Sequence, residues 1–324
     1  MRPTRRELVA GTLTLLAIPL AAAAQPPKVP RIGWLTNSVV HAVNVEAFRE
    51  GMRALGYPEV RLEVRAAAGR MDQLAALAAE LMSLDVDVIV TDGGPAALAA
   101  KRASATTPIV IGATTVEYLI RERVVDNLAR PGGNITGFAI STGVELHGKR
   151  LELLREILPT VRRLLVVQNP ANAGARVSLQ AIVSAADAFA FQSEPLATSD
   201  VDALDRRLGT LVGSSTAMLV VTDAFFWSQR TRIVSVAARH RIPGMYPEPD
   251  YATDGGLIAY GPNVRDNFRR AAGYVDRILK GTKPADLPVE QPTRFEVVIN
   301  LRTARALGLT IPPSVVLRAD QVIE

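Results

Sequence analysis

The sequence predicts an α/β protein of two lobes, each a mostly parallel sheet covered by helices. Three observations carry this reading. Apolar runs of strand length alternate with helical periodicity through the first half of the chain. A second series of similar size follows it. The tail then supplies a long helix, one strand and a short helix, too little for a domain of its own. Strands alternating with helices of this length build βαβ units and parallel pairing. A length of 324 residues suits two domains, at about 150 residues each.

The elements follow in order. The first strands are "RIGWLT" (31–36), "VRLEVRAA" (60–67), "DVDVIVTD" (85–92), "PIVIGAT" (108–114) and "ITGFAI" (135–140). Between them Val45, Phe48, Met52 and Leu55 share one helical face, as do Leu74, Leu77, Leu81 and Leu84. A helix over 148–159 carries Leu151, Leu154 and Leu158 on one side and stops at Pro159. The second strand set is "RLLVVQNP" (163–170), "FQSEPLA" (191–197), "AMLVVTDA" (217–224), "IPGMYP" (242–247) and "GLIAYG" (256–261), with a helix at Arg230–Arg239. The tail helix runs from Asn267 to Lys280, with Phe268, Ala271, Val275 and Ile278 on one face. A proline-rich stretch (283–292) and a strand–helix pair (294–308) follow, so the chain is expected to return to the earlier lobes and cross between them more than once.

The N-terminus reads as an export signal. Arg2, Arg5 and Arg6 precede an apolar core, Leu8 to Leu20, too short to span a bilayer. Ala22 and Ala24 place small side chains for cleavage before Gln25. Thr4-Arg5-Arg6-Glu7-Leu8 resembles a twin-arginine signal. Removal of residues 1–24 deletes three arginines and one glutamate and lowers the formal charge from +5 to +3. With that mild charge and no basic stripe interleaved with aromatics, nucleic acid is not an expected partner. The chain has no cysteine, so an exported form must rest on its core rather than on disulfides.

Catalytic signatures are missing. The three histidines, His41, His147 and His240, form no zinc-ligand spacing, and no G-x-S-x-G elbow is present. "TDGGPAA" lacks both the G-x-G-x-x-G spacing and the P-loop lysine. Glu145, Asp223, Glu248, Asp250 and Asp254 are scattered. Neither cofactor nor metal is expected, and the chain reads as a non-enzyme.

What recurs is polar and aromatic residues at strand C-terminal ends, where open parallel sheets bind ligands. Lobe one offers Asn37 and Ser38, then Gly93, Gly94, Pro95 and Ala96, then Thr114, Thr115 and Tyr118. Lobe two offers Asn169, Asp223 with Phe225, then Tyr246, Glu248 and Tyr260. Each has a structural alternative. Asn37 and Asn169 suit turns, Asp223 suits a helix N-cap, and Phe225-Phe226-Trp227 suits a core. Helix N-termini at Ser38 and at Gly94–Ala96 are expected to hold a carboxylate. Asp223 is expected to accept from an ammonium group, and Tyr118, Tyr246 and Tyr260 to pack a side chain.

"RIGWL", "DVIVTDGGPAALAAK", "LARPGGNITGF", "KRLELLREILP" and the block from Arg269 to Glu324 together resemble the solute-binding component of an ABC importer, in the branch that includes tryptophan-binding members. The resemblance covers Pro30 to Glu324. It implies a type I periplasmic binding protein fold, with two Rossmann-like lobes, three crossings and a hinge. Lobe one is then expected at 28–140 plus 262–292, and lobe two at 141–261 plus 293–324. Relatives often carry Gly-Thr where this chain has Gly93-Gly94, and Asp-Pro where it has Tyr118-Leu119. They usually read Pro-Asp at Thr222-Asp223, so Asp223 is retained, as is Asn169-Pro170. The implied protein is a periplasmic monomer that takes an amino acid or similar small carboxylate and delivers it to an ABC permease in the inner membrane. An exported α/β enzyme or a ligand-sensing domain using the same cleft is the alternative.

Overall fold

The computed structural model describes residues 29–141, 145–210 and 215–324; the signal segment expected at 1–24 lies outside the described residues. Lobe one begins with β1 (Arg31–Thr36), α1 (Ala42–Ala54), β2 (Arg61–Ala66), α2 (Leu74–Met82), β3 (Val88–Asp92), α3 (Gly94–Ala103), β4 (Ile109–Ala113), α4 (Val116–Arg121) and β5 (Ile135–Phe138). Lobe two continues with α5 (Glu145–Ile157), β6 (Arg163–Gln168), α6 (Ala173–Ala186), β7 (Gln192–Ala197), α7 (Val201–Gly209), β8 (Thr216–Val220), α8 (Ala224–Ser228), α9 (Arg230–Arg239), β9 (Gly244–Tyr246), α10 (Pro249–Thr253) and β10 (Ile258–Gly261). The tail holds α11 (Val264–Leu279), β11 (Val289–Glu290), β12 (Glu296–Asn300), α12 (Leu301–Leu307), α13 (Pro313–Val316) and β13 (Gln321–Ile323).

Two separate sheets result. One has the order β11-β5-β4-β3-β1-β2 and the other β13-β12-β10-β9-β8-β6-β7. Among the described strands every pairing is parallel except β10 with β12. The central strands β3, β4 and β8 are buried along their whole length, as apolar runs covered by helices on both faces must be. The edge strands β2 and β7, "RLEVRA" and "QSEPLA", carry charge and proline and are partly exposed, which blunts edge pairing.

The tail serves both lobes, and the chain passes between them after β5, after β10 and after β11. Helix α11 returns to lobe one. Its Phe268 stacks on Trp34 with ring centroids 5.1 Å apart. Gly51 lets α1 approach it, since a Cβ there would lie 2.5 Å from the Arg269 carbonyl oxygen. Strand β11 pairs with β5, while β12 and β13 extend the second sheet. Leu55, expected on the buried face of α1, is instead its C-cap residue and is exposed. The chain turns away there into Gly56.

The lobes touch at the C-terminal ends of their strands. Ser38 Oγ donates to the Ala224 carbonyl at 3.3 Å. The His41 and Trp227 rings meet edge-on, with centroids 4.0 Å apart. Among the described residues no helix is long and apolar enough to cross a membrane.

Candidate functional site

A cavity of about 90 Å³ lies between the lobes and is lined from both. Lobe one contributes residues that follow β1, β3 and β4. Asp92 ends β3, and Gly93 breaks the strand with φ at 103°. Only glycine is comfortable there, and a Cβ would also lie 1.6 Å from Asn37 Oδ1. Gly94 then opens α3, with Pro95 in its first turn. Pro has no N–H to lose at that position. Its N-cap Gly93 makes no side-chain capping bond, and Gly93, Gly94 and Pro95 line the cavity, which puts the positive end of the helix dipole there.

Gly94 also makes room for a neighbour. A Cβ there would sit 2.4 Å from the Tyr118 ring and 2.7 Å from Thr114 Oγ1. Tyr118 is placed by α4, whose N-cap Thr115 accepts from the Tyr118 backbone N–H at 3.2 Å. Burial pushes the Tyr118 phenol up to about 12, with the Glu122 charge adding to it, so it stays protonated. Asp92 is buried and held by two partners, His41 Nδ1 at 3.0 Å and the Asn44 amide, which donates at 3.3 Å.

Lobe two presents a carboxylate network. Asp223 follows β8 and caps α8, accepting from the Phe226 N–H at 3.1 Å. Asn169 donates to Asp223 Oδ1 at 3.2 Å, and Asn172 donates to Oδ2 at 2.8 Å. Burial raises the Asp223 pKa; the amides of Asn172 and Asn169 and the α8 backbone pull it back. Each asparagine is fixed in turn by its own backbone contact. Asn169 Oδ1 accepts from Ala171 N–H at 3.0 Å, and Asn172 Oδ1 from Gly174 N–H at 3.0 Å as the N-cap of α6. The turn and capping roles open from sequence are therefore real, and the same residues face the cavity. Phe225, Trp227 and Glu248 complete this side.

Of the residues expected from sequence, Asn37, Gly93, Gly94, Pro95, Thr114, Thr115, Tyr118, Asn169, Asp223, Phe225 and Glu248 line the cavity together. Ser38, Ala96, Tyr246 and Tyr260 do not. Helix α1 starts at Ala42 with His41 as N-cap, so Ser38 is not at a helix N-terminus; it bridges to lobe two instead. The Ala96 side chain is buried in the core of lobe one. Tyr246 is the last residue of β9 and still obeys the strand's alternation. It points into a helix-covered layer, stacked on Tyr251 at 5.0 Å, and burial pushes its phenol well up. Tyr260 alternates to the other layer and lies near Phe295. The cleft is reached only past the strand end, at Glu248.

Sequence reasoning missed His41, Asn44, Asp92, Asn172 and Trp227 as cavity residues. Asn172 had a signal, lying three residues after Asn169 in "NPAN". Trp227 had one too, in a run read as core: Phe226 and Trp227 both belong to the lobe-two core, and Phe225 and Trp227 also line the cavity. His41 and Asn44 carried none, because their partner Asp92 lies about fifty residues away. Among the described residues no group of three or more His, Asp or Glu gathers to hold a metal ion.

Residues 38–323 match the family described as ABC transporter substrate binding protein. A tyrosine-binding protein of Clostridioides difficile (strain R20291) is 23% identical over 267 residues, covering 82% of this chain and 76% of that protein. The ABC domain from Streptococcus pneumonia solved in complex with L-Trp superposes with a TM-score of 0.82 at 24% identity, covering 91% of this chain and all of that one. A conserved domain protein from Vibrio cholerae O1 biovar eltor gives a TM-score of 0.82 at 25% identity, with 91% of this chain and all of that chain covered. The ligand-free, open form of a substrate-binding protein from Clostridium difficile gives 0.66 at 22% identity, with 91% of this chain and 99% of that one covered. The two parallel-sheet lobes agree with the fold of these neighbours. The chain belongs to the ABC transporter substrate-binding protein family, whose members hold solutes rather than transform them.

Proposed function

We propose that this chain is the extracytoplasmic receptor of an ABC importer and that it carries an amino-acid-like solute in the interlobe cavity. The carrying observation is that one cavity is lined from both lobes by a helix N-terminus on one side and a hydrogen-bonded carboxylate on the other. The α3 terminus at Gly94 suits a carboxylate. Asp223, oriented by Asn169 and Asn172, suits an ammonium group. Tyr118, Phe225 and Trp227 supply apolar area for the side chain. The tyrosine-binding relative and the L-Trp complex support this solute class.

Function then follows from geometry. A solute touching both lobes binds the closed arrangement better than an open one and shifts the population toward it. The three crossing segments are the hinge, with lobe one at 28–140 plus 262–292 and lobe two at 141–261 plus 293–324. The closed form is what a membrane permease would recognise, and residues 1–24 would direct export to the periplasm.

Calorimetric titration of the purified protein with the proteinogenic amino acids tests the reading. One class is expected to bind with simple one-site behaviour, and Asp223→Ala is expected to abolish it. Silence across the panel, or an Asp223→Ala variant that binds like the wild type, counts against it.

A further inference from the structure

Glu248 lies in the cavity wall with nothing to do there structurally. It is 3% exposed. It occupies the N-cap position of α10, yet its side chain makes no capping bond. Its Oε2 has no hydrogen-bond partner among the described residues. A buried, unpaired carboxyl group costs stability, so a fold has no reason of its own to place one here.

The other two acids of the cavity differ. Asp92 is engaged by His41 and Asn44, and Asp223 by Asn169, Asn172 and the Phe226 N–H. Among the described residues no lysine or arginine lines the cavity. Arg150 is fully buried nearby and donates to the carbonyls of Tyr260 at 2.9 Å and Pro247 at 3.1 Å; its charge acts on Glu248 without a hydrogen bond to it. Three carboxyl groups from three strand ends thus surround one small space. A solute with one carboxylate and one ammonium engages α3 and Asp223 and leaves the buried Glu248 Oε2 without a partner. The aromatic lining suits the same deficit, because ring faces attract cations. Trp227 already does so on its outer side, where the Arg230 guanidinium carbon lies 4.2 Å from the ring centroid.

We infer that Glu248 makes this cavity select an amino-acid solute with a second, positively charged nitrogen on its side chain, of the diamino or guanidino class. The inference rests on the receptor reading above and narrows its solute. Glu248 accepts from the distal cation, while α3 and Asp223 hold the α-carboxylate and α-ammonium. The environment agrees: burial pushes the Glu248 carboxyl up to about 8, and Asp250 and Asp223 add to it against the pull of Arg150 and Arg230. An arriving cation relieves that cost by pairing with the charged form.

The test is calorimetric titration at pH 7.5 of the wild type, Glu248→Gln and Asp223→Ala with four probes: L-arginine, L-lysine, L-tryptophan and L-tyrosine. Glutamine is isosteric and cannot ionise in its buried place, so that variant is expected to fold, as circular dichroism would verify. The wild type is expected to bind at least one basic probe more tightly than either aromatic one. Glu248→Gln is expected to weaken the basic probe by at least about tenfold, as loss of a buried charge partner does, and to leave the aromatic probes no weaker. A wild type that prefers L-tryptophan or L-tyrosine overturns the inference while the receptor reading stands. So does a Glu248→Gln variant with an unchanged ratio of affinities. Binding of none of the four overturns the inference and the amino-acid reading together. Asp223→Ala separates the two, since it is expected to abolish whichever probe binds.

Discussion

Gly94 and Tyr118 fit together as a pair: a single Cβ on the glycine would lie 2.4 Å from the tyrosine ring. The two positions are exactly those at which relatives are expected to differ, with a threonine after the first glycine and a different residue pair at 118–119. The tyrosine occupies the volume that a side chain at 94 would need. Gly94→Ala is therefore expected to destabilise the protein by about 1–3 kcal/mol, the usual cost of overpacking. Tyr118→Ala should lose stability on its own through the space it leaves. The double variant should recover part of the sum. Thermal unfolding of all four proteins measures the coupling, and strict additivity would show that the two do not share that space.

Asp223 poses a different question, since its oxygens are already hydrogen-bonded by the protein. Asn172 holds Oδ2 at 2.8 Å and caps α6 through its own Oδ1. Asn172→Ala removes both contacts, so a stability loss of about 1–3 kcal/mol is expected from the buried acceptor and the lost cap together. It should also raise the Asp223 pKa further and weaken solute binding most at low pH. Calorimetry at pH 5 and pH 8 checks this; equal weakening at both would mean that the amide does not tune the carboxylate.

Much of this could be read from the chain alone, and the reasons are specific. Strands β3, β4 and β8 are central and parallel, so they appear as unbroken apolar runs. The long apolar stripe of α11 gave away its packing, though not that its partner would be α1 of lobe one. The site was half legible. A rule that looks at strand ends finds Asn37, Gly93 and Asp223, because those residues sit just past or beside the last strand position. The same rule misplaces Tyr246 and Tyr260, which still belong to their strands and alternate into the helix layers. His41 carried no such signal, and Trp227 only a run of aromatics that equally suits a core. Each becomes a site residue only when the lobes meet, and the two lie in different lobes.

That contact makes lobe closure observable. The chain has two tryptophans. Trp34 is fully buried in the lobe-one core, whereas Trp227 touches His41 across the cleft. Intrinsic fluorescence should therefore change on solute binding, and Trp227 should carry the change. Trp34→Phe is expected to keep the signal, and Trp227→Phe to remove it. A signal that survives in Trp227→Phe would place the reporting motion elsewhere.

Glu248 gives the solute-free protein a pH dependence of its own. Its carboxyl is pushed up to about 8 in the folded state by burial, against roughly 4.3 in an unfolded chain. Between those values the unfolded chain has lost the proton while the folded protein keeps it. Fewer protons are bound to the unfolded state, so stability falls as pH rises through this window and levels off above the folded pKa. Glu248→Gln cannot ionise and lacks this term. The variant and the wild type should melt at similar temperatures near pH 4, where both side chains are neutral. The variant should then melt progressively higher than the wild type as the pH climbs to 8. His147 and Asp223, which also have shifted pKa values, are common to both proteins, so the difference isolates Glu248. A melting difference that stays flat from pH 4 to pH 9 would mean that Glu248 already has a charge partner in the folded protein. Added L-arginine should shrink the difference at pH 8 by stabilising the wild type more than the variant, which links this titration to the solute proposed above.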